Sequence, residues 1–274
     1  MSKLSIKTTM TPYGSLEYYR TVNPKQDNQL LWIHGLGGNK NWFAQQYEPY
    51  SLSAYSWIVP DLLGYGNSAK PADPQAYTMV AQAQALLQLL KEEDIRLLSI
   101  FGHSMGGPIA ISLLEQLMEQ KDSLPIELAG LFYLEGNLDK NDAFYSSRVA
   151  KYTYEEYERN FEELLAPSSG LRTFYNEARN AGPKPIWASS KDLAALSESN
   201  TLFPRLQQTI RMLELPVYFI FGEKNIGRFT SEKLVRKAQL PLIFISKVGH
   251  DLQLENPATF WPKIKKLLDT SDSH

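Results

Sequence analysis

The chain of 274 residues is 43% hydrophobic and 21% charged, which is typical of a globular protein large enough to bury a substantial core. Its 28 basic and 30 acidic side chains leave a formal net charge of -2, which argues against nucleic acid or an anionic membrane surface as a partner. The chain contains no cysteine, so disulfides, thiolate metal sites and a cysteine nucleophile are excluded.

The first residues lack the apolar run of a signal peptide, and no run of about 18 apolar residues is present that would span a bilayer. We therefore predict a cytoplasmic protein with no membrane span. The four histidines, His34, His103, His250 and His274, do not have the i, i+4 spacing of a helical metal site. We predict neither a metal nor a cofactor, and the oligomeric state is left open.

The first predicted elements form an antiparallel hairpin. Two β-rich runs, at 5–9 and 16–21, flank Pro12 and Gly14, which are residues typical of turns. From residue 29 onward, short apolar runs that end near glycine or aspartate alternate with helical patterns. Such runs are typical of buried parallel strands. They occur at 29–33, 56–59, 97–101, 130–134, 217–221 and 242–245.

Three helical patterns follow some of these runs. Thr78 is a suitable N-cap for the first, whose apolar face is predicted to pack on the sheet. The second follows Ser104 and extends to Gln120, and the third begins at Asn256 with a proline in its first turn and extends to Leu268. The apolar face predicted for the first helix consists of Val80, Ala83, Leu87 and Leu90.

About eighty residues separate Gly136 from the predicted strand at 217–221, more than a single crossover helix requires. We interpret 137–200 as a helical cap inserted into an α/β core made of 1–136 and 201–274. Aromatic residues in the cap favour a mainly apolar acyl or aryl substrate, although helix packing alone would use the same rings. These residues are Tyr145, Tyr152, Tyr154, Tyr157, Phe161, Phe174, Tyr175 and Trp187.

Ser104 has the sequence context of a nucleophile. It follows a predicted strand and precedes a predicted helix, with Gly102 two positions before it and Gly106 two positions after it. Glycines at these positions allow a tight turn that pushes the serine outward and places the Met105 N–H at a helix N-terminus, where it can stabilise an oxyanion. A plain strand-to-helix turn is the alternative explanation.

A second oxyanion donor is predicted in the glycine-rich loop at 34–38. Glycine permits backbone conformations that other residues avoid, and the Leu36 N–H is the candidate donor in this loop. His34, at the start of the loop, is expected to organise it by hydrogen bonding rather than to act as a base.

His250 is the predicted general base. A serine hydroxyl needs a neighbouring base at neutral pH, and histidine is the usual one. His274 is terminal and therefore expected to fray, while His103 adjoins the nucleophile and should point away from it. His250 remains, in a loop after the last predicted strand, with a surface-loop histidine as the alternative reading.

These motifs resemble those of the α/β-hydrolase superfamily in order and spacing, over the whole chain except the cap. The resemblance implies an eight-stranded, mostly parallel sheet flanked by helices, with the site at the C-terminal edge of the strands. It also implies that 61–68 is a structural loop beside the site. The motifs are His34-Gly35-Leu36-Gly37-Gly38, Asp61-Leu62-Leu63-Gly64-Tyr65-Gly66-Asn67-Ser68, Gly102-His103-Ser104-Met105-Gly106-Gly107, and Gly249-His250 with Glu255-Asn256-Pro257.

The acid that orients the histidine departs from the family pattern. Most relatives carry an aspartate after the strand at 217–221, where this chain has Asn225. Glu135 is the preferred candidate because it closes the predicted strand that follows the nucleophile's strand. Some members of the superfamily, haloalkane dehalogenases and zearalenone lactonases among them, place their acid at the end of this strand, so the shift in this chain resembles a known variant. Glu223, Asp251, another carboxylate or no acid at all are the alternatives.

The predicted function is hydrolysis of a carboxylic ester of a small to medium apolar or aromatic molecule through an acyl-enzyme on Ser104, as in a carboxylesterase. A serine at the nucleophile position excludes the aspartyl-ester route of dehalogenases and epoxide hydrolases. Relatives use the same triad to cleave lactones, amides or carbon-carbon bonds, and some proteins of this fold are ligand receptors, so these readings stay open. In each case the partner is a small molecule.

Overall fold

The computed structural model describes residues 4–44, 52–165 and 172–271. His274 and the side chain of Phe174 lie outside the described part of the chain. The strands are β1 (Ser5–Thr11), β2 (Gly14–Thr21), β3 (Asn28–Ile33), β4 (Ser56–Pro60), β5 (Leu97–His103), β6 (Glu127–Leu134), β7 (Val217–Gly222) and β8 (Leu242–Ile245). The helices are α1 (Asn41–Ala44), α2 (Met79–Glu92), α3 (Gly106–Glu119), α4 (Phe144–Val149), α5 (Tyr154–Arg159), α6 (Phe161–Leu165), α7 (Arg172–Ala181), α8 (Pro183–Glu198), α9 (Leu202–Met212), α10 (Thr230–Lys237), α11 (Leu252–Glu255) and α12 (Pro257–Ser271).

The strands form one eight-stranded sheet in the order β1-β2-β4-β3-β5-β6-β7-β8. β1 and β2 pair antiparallel, β2 pairs antiparallel with β4, and all the other neighbours are parallel. The mostly parallel sheet implied by the sequence motifs is confirmed. Because β5, β6, β7 and β8 are parallel neighbours, the loops that follow them meet at one edge of the sheet.

Alternating side chains of the sheet enter two hydrophobic cores, one on each face. In β3, Leu31 and Ile33 join the core that α2 and α3 cover, whereas Trp32 joins the core covered by α12. Ring contacts cross the strands on this second face: the Trp32 and Phe101 centroids lie 3.8 Å apart, and those of Phe101 and Phe132 lie 4.2 Å apart. Successive side chains of a strand thus point to opposite faces of the sheet. Packing on both faces fixes each strand, and with it the position from which the following loop leaves the sheet.

The predicted strands agree with the observed ones to within a few residues. The hairpin is present, and β5 extends two residues beyond the predicted end, to His103. β6 begins three residues earlier than predicted, at Glu127, where the strand lies at the surface and carries little apolar signal. The ends of β6 and β8 fall on the predicted residues, whereas β7 ends one residue beyond the predicted end.

The predicted apolar face of α2 is wrong in one position. Ala83, Leu87 and Leu90 are buried, but Val80 is 45% exposed. Val80 lies on the exposed side of α2 with Gln84 and Lys91, which follow it at helical spacing. Thr78 is the N-cap as predicted, since its hydroxyl accepts a hydrogen bond from the main-chain N–H of Ala81 at 3.2 Å.

The interval between β6 and β7 is helical in the described residues. It contains α4 to α9, and α8 packs on α4 and α5. Within the described ranges, no helix combines the length and apolar character needed to cross a membrane.

Candidate active site

Ser104 lies on a tight turn between β5 and α3. Its φ of 54° is in the left-handed region, a strained conformation for a residue with a Cβ. A Cβ on Gly102 would fall 2.6 Å from the main-chain oxygen of Gly106, and a Cβ on Gly106 would overlap the main-chain oxygen of Ile33. Both flanking positions therefore require glycine, and the turn projects the serine from the edge of the sheet.

Ser104, His250 and Glu135 form a continuous chain of hydrogen bonds. Ser104 Oγ lies 3.0 Å from His250 Nε2, and His250 Nδ1 lies 2.8 Å from Glu135 Oε2. The three residues come from the ends of β5 and β6 and from the loop after β8. The structure brings together the three residues that the sequence suggested, in an arrangement that can move a proton from the hydroxyl to the imidazole.

The carboxylate of Glu135 is buried and accepts hydrogen bonds on both oxygens. Oε1 accepts from the Gly222 main-chain N–H at 2.6 Å, and Oε2 accepts from His250 Nδ1. Glu135 itself has a φ of 42°, so the strained backbone of Ser104 has a counterpart at the end of the adjacent strand. These contacts fix the carboxylate against the imidazole and stabilise its negative charge.

Asn225 has a role that the sequence argument missed. Its Nδ2 donates to both oxygens of Glu135, at 3.0 Å and 2.8 Å. The amide therefore occupies the position where most relatives carry the acid, and it supports a carboxylate that arrives from β6. The signal available in the sequence is the side-chain amide itself, whose N–H groups can donate to a carboxylate.

The environment of His250 favours its protonated form. Burial works against the imidazolium, but the hydrogen bond to Glu135 and the negative charge of that carboxylate outweigh it and raise the pKa of His250 to about 9. The side chain remains 40% exposed, so its other nitrogen has access to a substrate and to solvent. Glu135 is thus placed to orient the imidazole and to stabilise its charge.

Buried hydrogen bonds hold the loop that contains His34. The Nε2 atom of His34 accepts from the Leu62 main-chain N–H at 3.1 Å, so Nδ1 carries the proton and donates to the Gly35 oxygen at 2.8 Å. Burial lowers the pKa of His34 to about 4, which keeps the ring neutral. These contacts agree with a loop-organising role, and none of them reaches Ser104.

Two main-chain N–H groups are available near the nucleophile. A Cβ on Gly35 would lie 3.0 Å from Ser104 Cβ, so the loop at 34–38 passes directly against the serine. Leu36 follows in this loop, and Met105 lies at the N-terminus of α3. Within the described part of the chain, neither the Leu36 nor the Met105 N–H has an acceptor.

His103 contacts His250 rather than the side chain of Ser104. Its Nε2 donates to the main-chain oxygen of His250 at 2.9 Å, and the two ring centroids are 5.0 Å apart. Burial lowers the pKa of His103 to about 3, so this ring is also neutral. The contact links the turn that carries Ser104 to the loop that carries His250.

The alternative acids do not reach the imidazole. Glu223 is exposed, and its Oε2 accepts from the Lys247 main-chain N–H at 2.9 Å. Asp251 follows His250 directly, but its carboxylate makes no hydrogen bond to the ring. Burial raises the pKa of Asp251.

A cavity of about 580 Å³ opens over Ser104 and His250. This volume lies within the range of small-molecule sites. Phe144 and Phe229, which the sequence argument did not single out, border it, and their ring centroids are 5.6 Å apart. Its apolar wall consists of Leu36, Trp42, Phe144, Tyr145, Leu193 and Phe229.

Most of the aromatic residues noted at 137–200 pack elsewhere. Among their described side chains, Tyr145 borders the cavity. Tyr157 and Phe161 contact each other edge to face at 5.6 Å, and Trp187 Nε1 donates to the Tyr152 main-chain oxygen at 3.0 Å. Most of these aromatic residues therefore serve helix packing, which is the alternative explanation that the sequence left open.

Comparison with known proteins finds matches along most of the chain. The model of the alpha/beta hydrolase fold family matches residues 28–257. Lipase 3 of Moraxella sp. (strain TA144) is 27% identical over 261 residues, covering 91% of this chain and 80% of the lipase.

Two solved structures show the same fold. An N-acyl homoserine lactonase has a TM-score of 0.73 and 18% identity, with 98% of each chain covered. A thermophilic esterase from Thermogutta terrifontis has a TM-score of 0.71 and 20% identity, covering 98% of this chain and 99% of the esterase. With the family model matched over most of its length, the chain belongs to the alpha/beta hydrolase fold family.

Proposed function

We propose that this protein is a serine hydrolase that cleaves carboxylic esters through an acyl-enzyme on Ser104, with His250 as base and Glu135 as the orienting acid. The chain is a hydrolase that acts on esters, as its family and its lipase and esterase relatives indicate. The observation that carries the finer proposal is the chain of contacts from Ser104 Oγ to His250 at 3.0 Å and from His250 to Glu135 at 2.8 Å.

In the proposed mechanism, neutral His250 takes the proton of Ser104 as Oγ attacks the ester carbonyl. The resulting imidazolium donates this proton to the leaving alcohol as the carbon-oxygen bond breaks. Water then enters, His250 removes its proton, and attack on the acyl group releases the carboxylic acid and restores the serine. Glu135 stays ionised and supports the imidazolium through both steps.

We assign the Leu36 and Met105 N–H groups to the oxyanion of each tetrahedral intermediate. Their lack of acceptors supports this assignment, because a buried N–H without a partner is costly unless a ligand supplies one. The position of Met105 at the N-terminus of α3 adds the favourable end of the helix dipole.

We propose that 137–200 is a cap over a core made of 1–136 and 201–274. Phe144 and Tyr145 belong to this segment and border the cavity, which supports a role in enclosing the substrate. The apolar wall favours an ester whose acyl or alcohol part is apolar or aromatic and small to medium in size.

The proposal is tested with p-nitrophenyl esters of increasing chain length and with the Ser104→Ala variant. We expect release of p-nitrophenol by the parent protein and a loss of about 10⁴-fold or more in the variant. A fluorophosphonate should add one phosphonyl group to the parent protein and none to Ser104→Ala, as measured by intact mass. Equal ester cleavage by both proteins would refute the assignment of the nucleophile.

A further inference from the structure

Asp251 is the carboxylate at the cavity that lacks a partner. It is 8% exposed and borders the same cavity as Ser104 and His250. Within the described part of the chain, its side chain forms no hydrogen bond or ion pair, and it does not cap α11, although it occupies the N-cap position. Although most of the residue is buried, its carboxylate oxygens remain accessible from the cavity, where a ligand with a complementary group can reach them.

The other acids at the cavity are satisfied by the protein. Asp142 accepts from the main-chain N–H groups of Leu138 and Asp139 on one oxygen and from Ser231 on the other. Glu255 accepts from Lys224 Nζ at 3.0 Å and from a main-chain N–H at 2.9 Å. Asp251 therefore differs from its acidic neighbours in lacking the donors that they have.

The surroundings of Asp251 suit an ammonium group. Phe229, Trp42 and Tyr145 border the cavity, and the Phe229 ring centroid lies 6.1 Å from that of His250. Aromatic faces attract cations, most strongly where water is excluded. Of the two arginines at the cavity, Arg228 is exposed and screened by solvent, and Arg148 lies over the Tyr145 ring at 5.3 Å.

The position of Asp251 in the chain indicates which part of the substrate it meets. His250 must reach the oxygen of the leaving alcohol to protonate it, and Asp251 borders the same cavity as His250, which brings the alcohol part of the ester within its reach. A positive charge on that alcohol would meet the Asp251 carboxylate.

We propose that Asp251 forms a subsite for an ammonium group in the leaving alcohol, so that the preferred substrates are esters of amino alcohols. This inference rests on the proposed ester hydrolysis at Ser104 and adds a substrate class to it. Binding of the cation would supply the partner that the carboxylate lacks, and would favour its ionised form.

The test compares butyrylcholine with 3,3-dimethylbutyl butyrate, in which carbon replaces the positively charged nitrogen. We expect the ratio of their kcat/KM values to fall about tenfold or more in Asp251→Asn, which keeps the size of the side chain and removes its charge. Asp122→Asn, which makes the same change on the exposed turn after α3, should keep the parent ratio. Taking a ratio cancels differences in the amount of folded enzyme and any effect of Asp251 on His250 that both esters share.

The result that overturns the subsite is an equal ratio in the parent protein and Asp251→Asn. If both esters are cleaved in a Ser104-dependent manner with such an equal ratio, the proposed function stands and the subsite fails. If neither ester is cleaved, calorimetric titration with tetramethylammonium decides on the subsite separately. Binding to the parent protein that is lost in Asp251→Asn supports it, and no binding or equal binding to both refutes it.

Discussion

Ser104 and Glu135 show how two strained residues can be held at the ends of neighbouring strands. The Ser104 N–H donates to the Leu134 oxygen at 3.0 Å, and the Glu135 N–H donates to the Ile220 oxygen at 2.9 Å. The sheet hydrogen bonds thus continue into both residues although their φ angles are positive. The sheet compensates for the local strain, and both side chains are directed at His250.

Replacing Glu135 with glutamine tests the position of the acid. The change keeps the size of the side chain but removes the charge that stabilises protonated His250, and the new amide would also confront the Asn225 amide donor. We expect kcat/KM for a p-nitrophenyl ester to fall by about 10⁴-fold, the loss that follows the corresponding change in a serine protease. Activity within tenfold of the parent protein would exclude Glu135 as the acid.

The control for this prediction moves the carboxylate to the position used by most relatives. The double variant Asn225→Asp/Glu135→Gln exchanges the amide and the carboxylate between these two positions. It restores one acid, on the other side of the hydrogen bonds that join Asn225 to Glu135. We expect the double variant to recover part of the activity lost in Glu135→Gln. Recovery would show that the loss comes from the missing charge and not from disturbed packing.

The pH dependence of kcat/KM reports on His250 in the free enzyme. The imidazole must be neutral to accept the serine proton, so kcat/KM should rise as pH increases through the pKa of His250. Because Glu135 raises this pKa to about 9, we expect the rise well above pH 6.5. The residual activity of Glu135→Gln should rise at lower pH than that of the parent protein. If kcat/KM of the parent protein already rises at or below pH 6.5, Glu135 does not raise the pKa of His250 as expected.

At the scale of secondary structure, the turn between β5 and α3 depends on close backbone contacts. A Cβ on Gly106 would overlap the Ile33 main-chain oxygen, whereas a Cβ on Gly130 in β6 would lie 3.5 Å from the Pro216 oxygen, an ordinary contact. We expect Gly106→Ala to lower the free energy of unfolding by about 1–3 kcal/mol and Gly130→Ala to change it by only about 0.5 kcal/mol. Urea denaturation measures both, and equal effects would show that the contact at Gly106 is easily relieved.

The same elements show what the sequence could predict. The strands and the nucleophile turn follow from short-range signals: apolar runs, glycine spacing and helix caps. Val80 was misplaced because helical periodicity defines the centre of an apolar face better than its margin. The contact of Asn225 with Glu135 joins residues 90 positions apart in the sequence, and the cavity that Asp251 borders forms only on folding, so short-range patterns predict neither.

At the scale of the whole molecule, two buried neutral histidines beside the site make the free energy of unfolding depend on pH in the acid range. His34 and His103 are almost completely buried, and burial lowers their pKa values to about 4 and about 3. In an unfolded chain both titrate near 6.5, so between these values the unfolded state binds more protons than the folded state. The stability they confer is present above pH 6.5 and is lost as the pH falls toward 4 and 3. His250 acts in the opposite direction, since its raised pKa means that its contribution is lost as the pH rises toward 9.

The His103→Gln variant isolates one of these contributions. Glutamine retains an N–H donor for the His250 main-chain oxygen but does not titrate, so the contact of 2.9 Å can be kept while the proton linkage is removed. Between pH 7 and pH 5 we expect the free energy of unfolding of the parent protein to fall by about 2 kcal/mol more than that of the variant, because a pKa near 3 leaves the folded ring neutral over this whole interval. Urea denaturation at the two pH values measures the difference, and identical decreases in both proteins would show that His103 becomes protonated without unfolding.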